Sequence, residues 1–179
     1  MSKTSLRYLV FPLILFSLCC SACAHQLKPA AGGSYSDPKG HFELTLPWFK
    51  DHPREQGWQL LSWEDVDFVL WDRGSGATMV VNVTPLKQGA DLITLTNHLL
   101  IAFEGKRIIS RDNELFQGRE AVKTVLEGWV ERTEIKAEVY VVRGAGVCYD
   151  IIFWAPRDVF PSKVEAFHQF LVGITFLQP

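Results

Sequence analysis

Asp150 is the side chain in this sequence whose position most demands a chemical explanation. It stands in the run Val147–Trp154, which is apolar on both faces, and shares a face with Cys148, Ile152 and Trp154. A lone carboxylate there costs on the order of several kcal/mol of lost hydration. Buried polar groups are nearly always hydrogen-bonded, so a carboxylate satisfied by a loop or a basic side chain is the first expectation. An acid or ligand group in a cleft is the second. Glu64, Asp65, Asp67 and Asp72 form an acidic cluster around a hairpin. Such oxygen ligands suit Ca²⁺ or Mn²⁺, and Asp65 and Asp67, two apart on a strand, share a face. No loop there has calcium-site spacing with its turn glycine. A solvated edge that resists aggregation is the better reading, and no metal is expected.

The other reactive types are poorly placed for catalysis. The histidines His25, His41, His52, His98 and His168 include no pair at helical ligand spacing and no zinc motif. Ser75 lies in Gly74-Ser75-Gly76, which lacks the spacing of a hydrolase elbow and reads as a hairpin turn. Cys148, flanked by core residues, reads as an inert buried thiol. Neither Gly74-Ser75-Gly76 nor Gly144-Ala145-Gly146 opens a helix, so neither cradles phosphate. Trp48, Phe49 and Trp58 surround a polar loop carrying Pro53. Aromatics on irregular segments anchor partners or ligands, and they also cap the open end of a sheet. No cofactor is implied.

The N-terminus is more explicit. Lys3 and Arg7 supply a basic start, Tyr8 to Leu18 an apolar stretch, and Ser21-Ala22 the small residues before Cys23. This is a secretory signal, too short to span a bilayer. Ser21-Ala22-Cys23 resembles the bacterial lipobox, with Cys20 where an aliphatic residue is usual. The resemblance implies cleavage after Ala22 and acylation of Cys23, and more than one chain makes such anchorage firm. Ala24 rather than Asp after the cysteine favours the outer of two membranes. The expected organisation is a signal peptide over 1–22, a lipidated cysteine and tether over 23–34, and one domain over 35–179. The chain carries a net charge of −2, and loss of Lys3 and Arg7 leaves about −4. No basic patch offers itself to nucleic acid.

The elements that must position these residues follow from periodicity. Asp37-Pro38-Lys39-Gly40 is a turn before a strand over His41–Leu46. A short strand is expected over Leu60–Trp63. A hairpin follows, with Val66, Phe68 and Leu70 on one face and Val69 and Trp71 on the other; its return strand runs Ala77–Thr84. Asp91 caps a helix expected to run to about Glu104, with Gly105 at its end. Ile108–Phe116 reads as one or two short strands around a turn at Asp112-Asn113. Glu120–Val130, Glu134–Arg143 and Val147–Trp154 are antiparallel neighbours joined by short links. The last is apolar on both faces, so it should be central with a layer on each side. A helix over about Phe160–Leu171 buries Val164, Phe167 and Leu171. The fold class is α+β, an α/β/α sandwich around an antiparallel β-sheet.

Several local signatures make a family recognisable. They are Tyr35, Asp37-Pro38-Lys39-Gly40-His41-Phe42 leading into Leu46-Pro47, Cys148-Tyr149-Asp150-Ile151 leading into Ala155-Pro156, and Phe160, Phe167, Phe170 and Phe176. With this order of elements, the chain resembles the PsbP-like family, which includes the extrinsic photosystem II protein, the yeast Ran-binding Mog proteins and many small bacterial lipoproteins. The resemblance covers about Tyr35 to Phe176. It implies the same sandwich and an accessory or assembly role rather than an enzyme. No segment matches the photosystem protein's long docking arm, so no photosynthetic role is implied. Together these readings point to a non-catalytic lipoprotein of the cell envelope, facing the periplasm, that binds a protein partner. The alternative is a small-ligand or divalent-metal-binding module built on Asp150, Asp65, Asp67, Trp48 or Trp58.

Overall fold

Alternating apolar residues on the long strands require two buried faces, and the molecule supplies them. The computed structural model describes residues 25–26, 33–46, 57–63, 65–87 and 89–177. In chain order its elements are β1 (His25–Gln26), β2 (Ser34–Ser36), β3 (Phe42–Thr45), β4 (Trp58–Trp63), β5 (Val66–Asp72) and β6 (Thr78–Pro85). Then come α1 (Leu92–Leu99), β7 (Glu104–Phe116), β8 (Arg119–Val130), β9 (Thr133–Arg143), β10 (Val147–Pro156), α2 (Phe160–Gly173) and β11 (Ile174–Phe176). Eight strands form one antiparallel sheet in the order β1-β4-β5-β6-β10-β9-β8-β7. A smaller antiparallel sheet has the order β11-β3-β2. The strand β10 lies between β6 and β9, as its two apolar faces require.

Each face of the large sheet has its own core. On one, Met79, Ile151 and Phe153 meet Phe160, Phe167 and Phe170 of α2 and Phe42 and Leu44 of the small sheet. On the other, Val80, Val139, Ile152 and Trp154 meet Leu92, Leu99, Leu100 and Phe103 around α1. This is the sandwich expected from the sequence, with a three-stranded sheet added beside α2. Aromatic contacts fasten that sheet: Tyr35 lies 4.8 Å from Phe68 edge-on, and Tyr149 lies 4.3 Å from Phe176. The Tyr149 hydroxyl donates to the His41 carbonyl at 3.1 Å. Tyr35, His41, Tyr149 and Phe176, four of the residues that carry the family resemblance, therefore help to dock one sheet on the other.

Several elements differ from expectation, each for a physical reason. Asp91 does cap α1, accepting from the Ile93 and Thr94 N–H groups at 3.3 and 2.9 Å. The helix nevertheless ends at Leu99, a 3₁₀ turn spans Leu100–Ala102, and Phe103 is extended. Gly105 consequently falls in β7, which is one strand of 13 residues. Asp112 and Asn113 make no turn, because they pair with Lys123 and Val122. The reversal occurs at Gln117-Gly118, with φ of 50° and 78°. Positive φ at both central positions is what a two-residue loop of type I′ requires, and the long ladder outweighs the local turn propensity of Asp-Asn. Val66 packs with the α1-side core rather than with Phe68 and Leu70, since β5 advances three residues from Val66 to Val69 while β4 advances two from Trp63 to Leu61. The short β11 was not anticipated; it extends α2 into a pairing with β3. Within 23–34, read as a tether, His25 and Gln26 pair with Ser62 and Leu61. Among the described residues, no helix is long and apolar enough to cross a membrane.

Candidate functional site

Among the described residues, the sequence-derived candidates do not gather in one cleft. Asp150 lies on β10 opposite Asn82 and Val141, on the α1 side with Cys148 and Ile152. It is 8 % exposed, and the Cys148 thiol donates to its Oδ1 at 3.8 Å. Burial, against a weak pull from that hydrogen bond, pushes the carboxyl up to about 7. Burial and the adjacent Asp150 charge also push the Cys148 thiol up, so little thiolate forms near neutrality. Among the described residues, neither the loop nor the basic partner expected for Asp150 supplies a hydrogen bond.

Asp65 and Asp67 do share a hollow of about 280 Å³, with Tyr35, Asp37, Lys39 and Ser62 on its wall. Asp67 is already committed there. Its Oδ1 takes Lys39 Nζ at 2.6 Å, its Oδ2 takes the Val83 N–H at 2.7 Å, and its carbonyl accepts from Tyr35 Oη at 2.7 Å. Asp67 thus ties the small sheet to the large one. Asp65 is exposed at φ 67° between β4 and β5. Asp37 Oδ2 receives the His41 N–H and lies 2.9 Å from His41 Nδ1, while its Oδ1 is buried and has no hydrogen-bond partner among the described residues. The turn was legible in Asp37-Pro38-Lys39-Gly40; the place of Asp37 in this hollow was not. Among the described residues, no three His, Cys, Asp or Glu side chains gather to hold a metal ion.

Asp72 belongs to the opposite end of β5. It anchors the following turn through Gly74 N–H at 3.0 Å and Ser75 Oγ at 2.8 Å, and pairs with Lys163 of α2 at 2.6 Å. Burial opposes its charge, yet Lys163, Ser75 and Gly74 together hold the carboxyl below the usual range. Trp58, directly across from Asp72, is 3 % exposed in the α2-side core, with Lys163 Nζ 5.9 Å from the ring centroid. Its ring is therefore a packing element and is not presented to a ligand. Trp48, and Cys23 at the expected lipid site, lie outside the described residues.

The larger concavity was not visible in the sequence. About 610 Å³ of space opens between the start of α1 and the β7–β8 edge, over Leu92, Ala121 and Val122. Ile93 and Leu115 stand beside it, 38 % and 73 % exposed. Asp91, Glu114, Glu120 and Arg143 supply the charge. Arg143 Nε donates to Glu120 at 2.7 Å and Nη2 to the Ala90 carbonyl at 2.9 Å, fixing the loop before α1. An apolar floor with a charged rim is the anatomy of a protein-binding surface. Only the antiparallel return of β8 beside β7 brings Leu115 and Ala121 together, so no linear motif announced it.

This α+β arrangement of a large antiparallel sheet with helices packed on it is the fold of solved structures of the Mog/PsbP type. The chain is similar to LpqN of Mycobacterium tuberculosis, involved in cell envelope biogenesis, at 13 % identity and TM-score 0.58 over 87 % of this chain and 91 % of that one. It is similar to cyanobacterial PsbP (CyanoP) of Synechocystis sp. PCC 6803, at 14 % identity and TM-score 0.57 over 80 % and 91 %. It also matches Mog1p, a Ran-binding protein of Saccharomyces cerevisiae, at 10 % identity and TM-score 0.55 over 81 % and 95 %. The likeness at these identities is one of fold. By sequence alone, the chain matches no family model and no curated protein.

Proposed function

We propose that this chain is a lipid-anchored protein of the bacterial cell envelope that binds a protein partner and performs no chemistry on it. The groove over Leu92, Ala121 and Val122 carries this reading, because it joins exposed apolar side chains to a charged rim at a size suited to a partner's side chains. The fold supports it: one similar structure is a Ran-binding protein and another is involved in cell envelope biogenesis. The lipobox at Cys23 adds the anchor, and Ala24 directs it to the outer membrane facing the periplasm.

Two measurements test the two halves. A photo-reactive aromatic residue placed at Leu115 is expected to give a reproducible protein adduct in intact envelopes. The same probe at Val172, 84 % exposed on α2, should give none. No adduct from Leu115, or identical adducts from both, defeats the groove assignment. For the anchor, Cys23→Ser should abolish incorporation of radioactive palmitate, and persistent labelling would move the anchor to another cysteine.

A further inference from the structure

The chain enters the eight-stranded sheet at one edge, where β1 lies beside β4, and β7 occupies the opposite edge. His25 follows Cys23 by two residues in sequence. A fully extended chain spans at most ~3.6 Å per residue, so the Cα of Cys23 lies within about 7 Å of that of His25. This is a covalent bound that holds in any conformation. A flexible Ala, Gly and Pro tether of the dozen residues over 23–34 would reach roughly 20 Å and let the domain turn freely. Pairing of β1 with β4 removes most of that freedom.

We infer that β1 sets the orientation of the domain on the membrane. The β1–β4 edge rests at the lipid headgroups, and β7, with the groove beside it, points into the aqueous space. This rests on acylation of Cys23. The headgroup layer is about 5–7 Å deep in each leaflet, comparable with the covalent reach from Cys23 to β1. Strands are spaced ~4.8 Å apart, so seven spacings carry β7 roughly 30 Å from the attached edge. The helix-covered faces flank the point of attachment, because β1 joins β4 in the plane of the sheet. Covalent pinning rather than charge supplies the orientation, since this edge carries exposed Asp65 as well as Lys39, whose side chain is 64 % exposed. The partner is then a protein reaching in from the aqueous phase, not a neighbour lying in the same leaflet.

The test uses the lipidated full chain in vesicles of phosphatidylethanolamine and phosphatidylglycerol containing headgroup-spin-labelled lipid. Ser62→Cys and Leu115→Cys, both at exposed positions, take a fluorophore, while buried Cys148 stays unlabelled. Strong quenching at position 62 and none at 115 is expected. Equal quenching at both positions, in protein that carries palmitate and floats with the vesicles, overturns the orientation alone. Absence of both palmitate and flotation overturns the anchor, and the orientation with it. Adjacent strand residues point their N–H groups to opposite sides, so the double change His25→Pro and Gln26→Pro removes the ladder donor that β1 gives to β4, whichever residue supplies it, and should erase the difference while flotation persists. A difference that survives this change overturns β1 as the orienting element.

Discussion

Asp150→Asn yields a domain more stable at neutral pH, by about 2–4 kcal/mol, with a flatter response of stability to pH between 4 and 7. Burial raises the Asp150 carboxyl to about 7 in the folded chain, whereas an unfolded carboxyl titrates near pH 3.9. Below pH 4 both states hold the proton and the group is neutral to stability. As pH rises from 4 to 7 the unfolded chain releases its proton first, so the equilibrium shifts toward unfolding. Above 7 both are ionised and the full cost, up to ~4 kcal/mol, is present. The 8 % of Asp150 that remains exposed trims this figure. Asn matches the shape and carries no proton to lose. Urea unfolding of both proteins at pH 4, 5.5 and 7.5 should show a gap that opens as pH rises; a gap independent of pH would mean that Asp150 is ionised throughout.

Phe167→Ala should cost about 3–5 kcal/mol, because a fully buried aromatic leaves both a lost transfer energy and a cavity. Phe167 is 0 % exposed on the inner face of α2. Its ring stacks on Phe153 of β10 at 5.2 Å, with Phe170 and Tyr140 at 6.1 and 6.3 Å. The cavity would open between helix and sheet, where neither side can collapse without moving the other. Val172→Ala on the same helix, 84 % exposed, should change stability by less than about 0.5 kcal/mol. Denaturant midpoints of the two variants compare these directly. Equal losses would show that α2 is not packed as described.

The elements legible from sequence were those whose own periodicity forced an answer. The strand β10, apolar on both sides, had to be central, and it lies between β6 and β9. Short links made β8, β9 and β10 antiparallel neighbours, and Asp91 had to start a helix. The misread places were those where local propensity met a long-range partner. Asp112-Asn113 favours a turn, but a ladder of paired backbone groups held it straight. Val66 followed the alternation, but an extra residue in its own strand, between Val66 and Val69, turned it to the other face. The short β11 had no signal of its own and exists through its pairing with β3.

Among the candidate site residues, chemistry in the sequence outran geometry. Asp150 was recognisable as a buried carboxylate because apolar neighbours on a two-faced strand leave it no route to water. That its hydrogen bond comes from Cys148 depends on side-chain placement. Asp67 and Asp72 looked like one acidic cluster, yet Lys39 and Lys163, distant in sequence, claim them separately. Trp58 offered an aromatic anchor in the sequence, and the α2-side core absorbed it.

The sequence by itself determined the sandwich, the antiparallel sheet and the expectation of an anchored N-terminus at Cys23. These depend on patterns of neighbouring residues, and such patterns survive in one dimension. Tertiary structure alone decided that Leu92, Leu115 and Ala121 surround one groove, and that His25 and Gln26 close an edge at β4. Each needs a segment distant in the chain: α1 beside the β7–β8 edge, and β1 beside β4. No local pattern encodes them, because the free energy that selects each contact is released only when the partner segment has arrived.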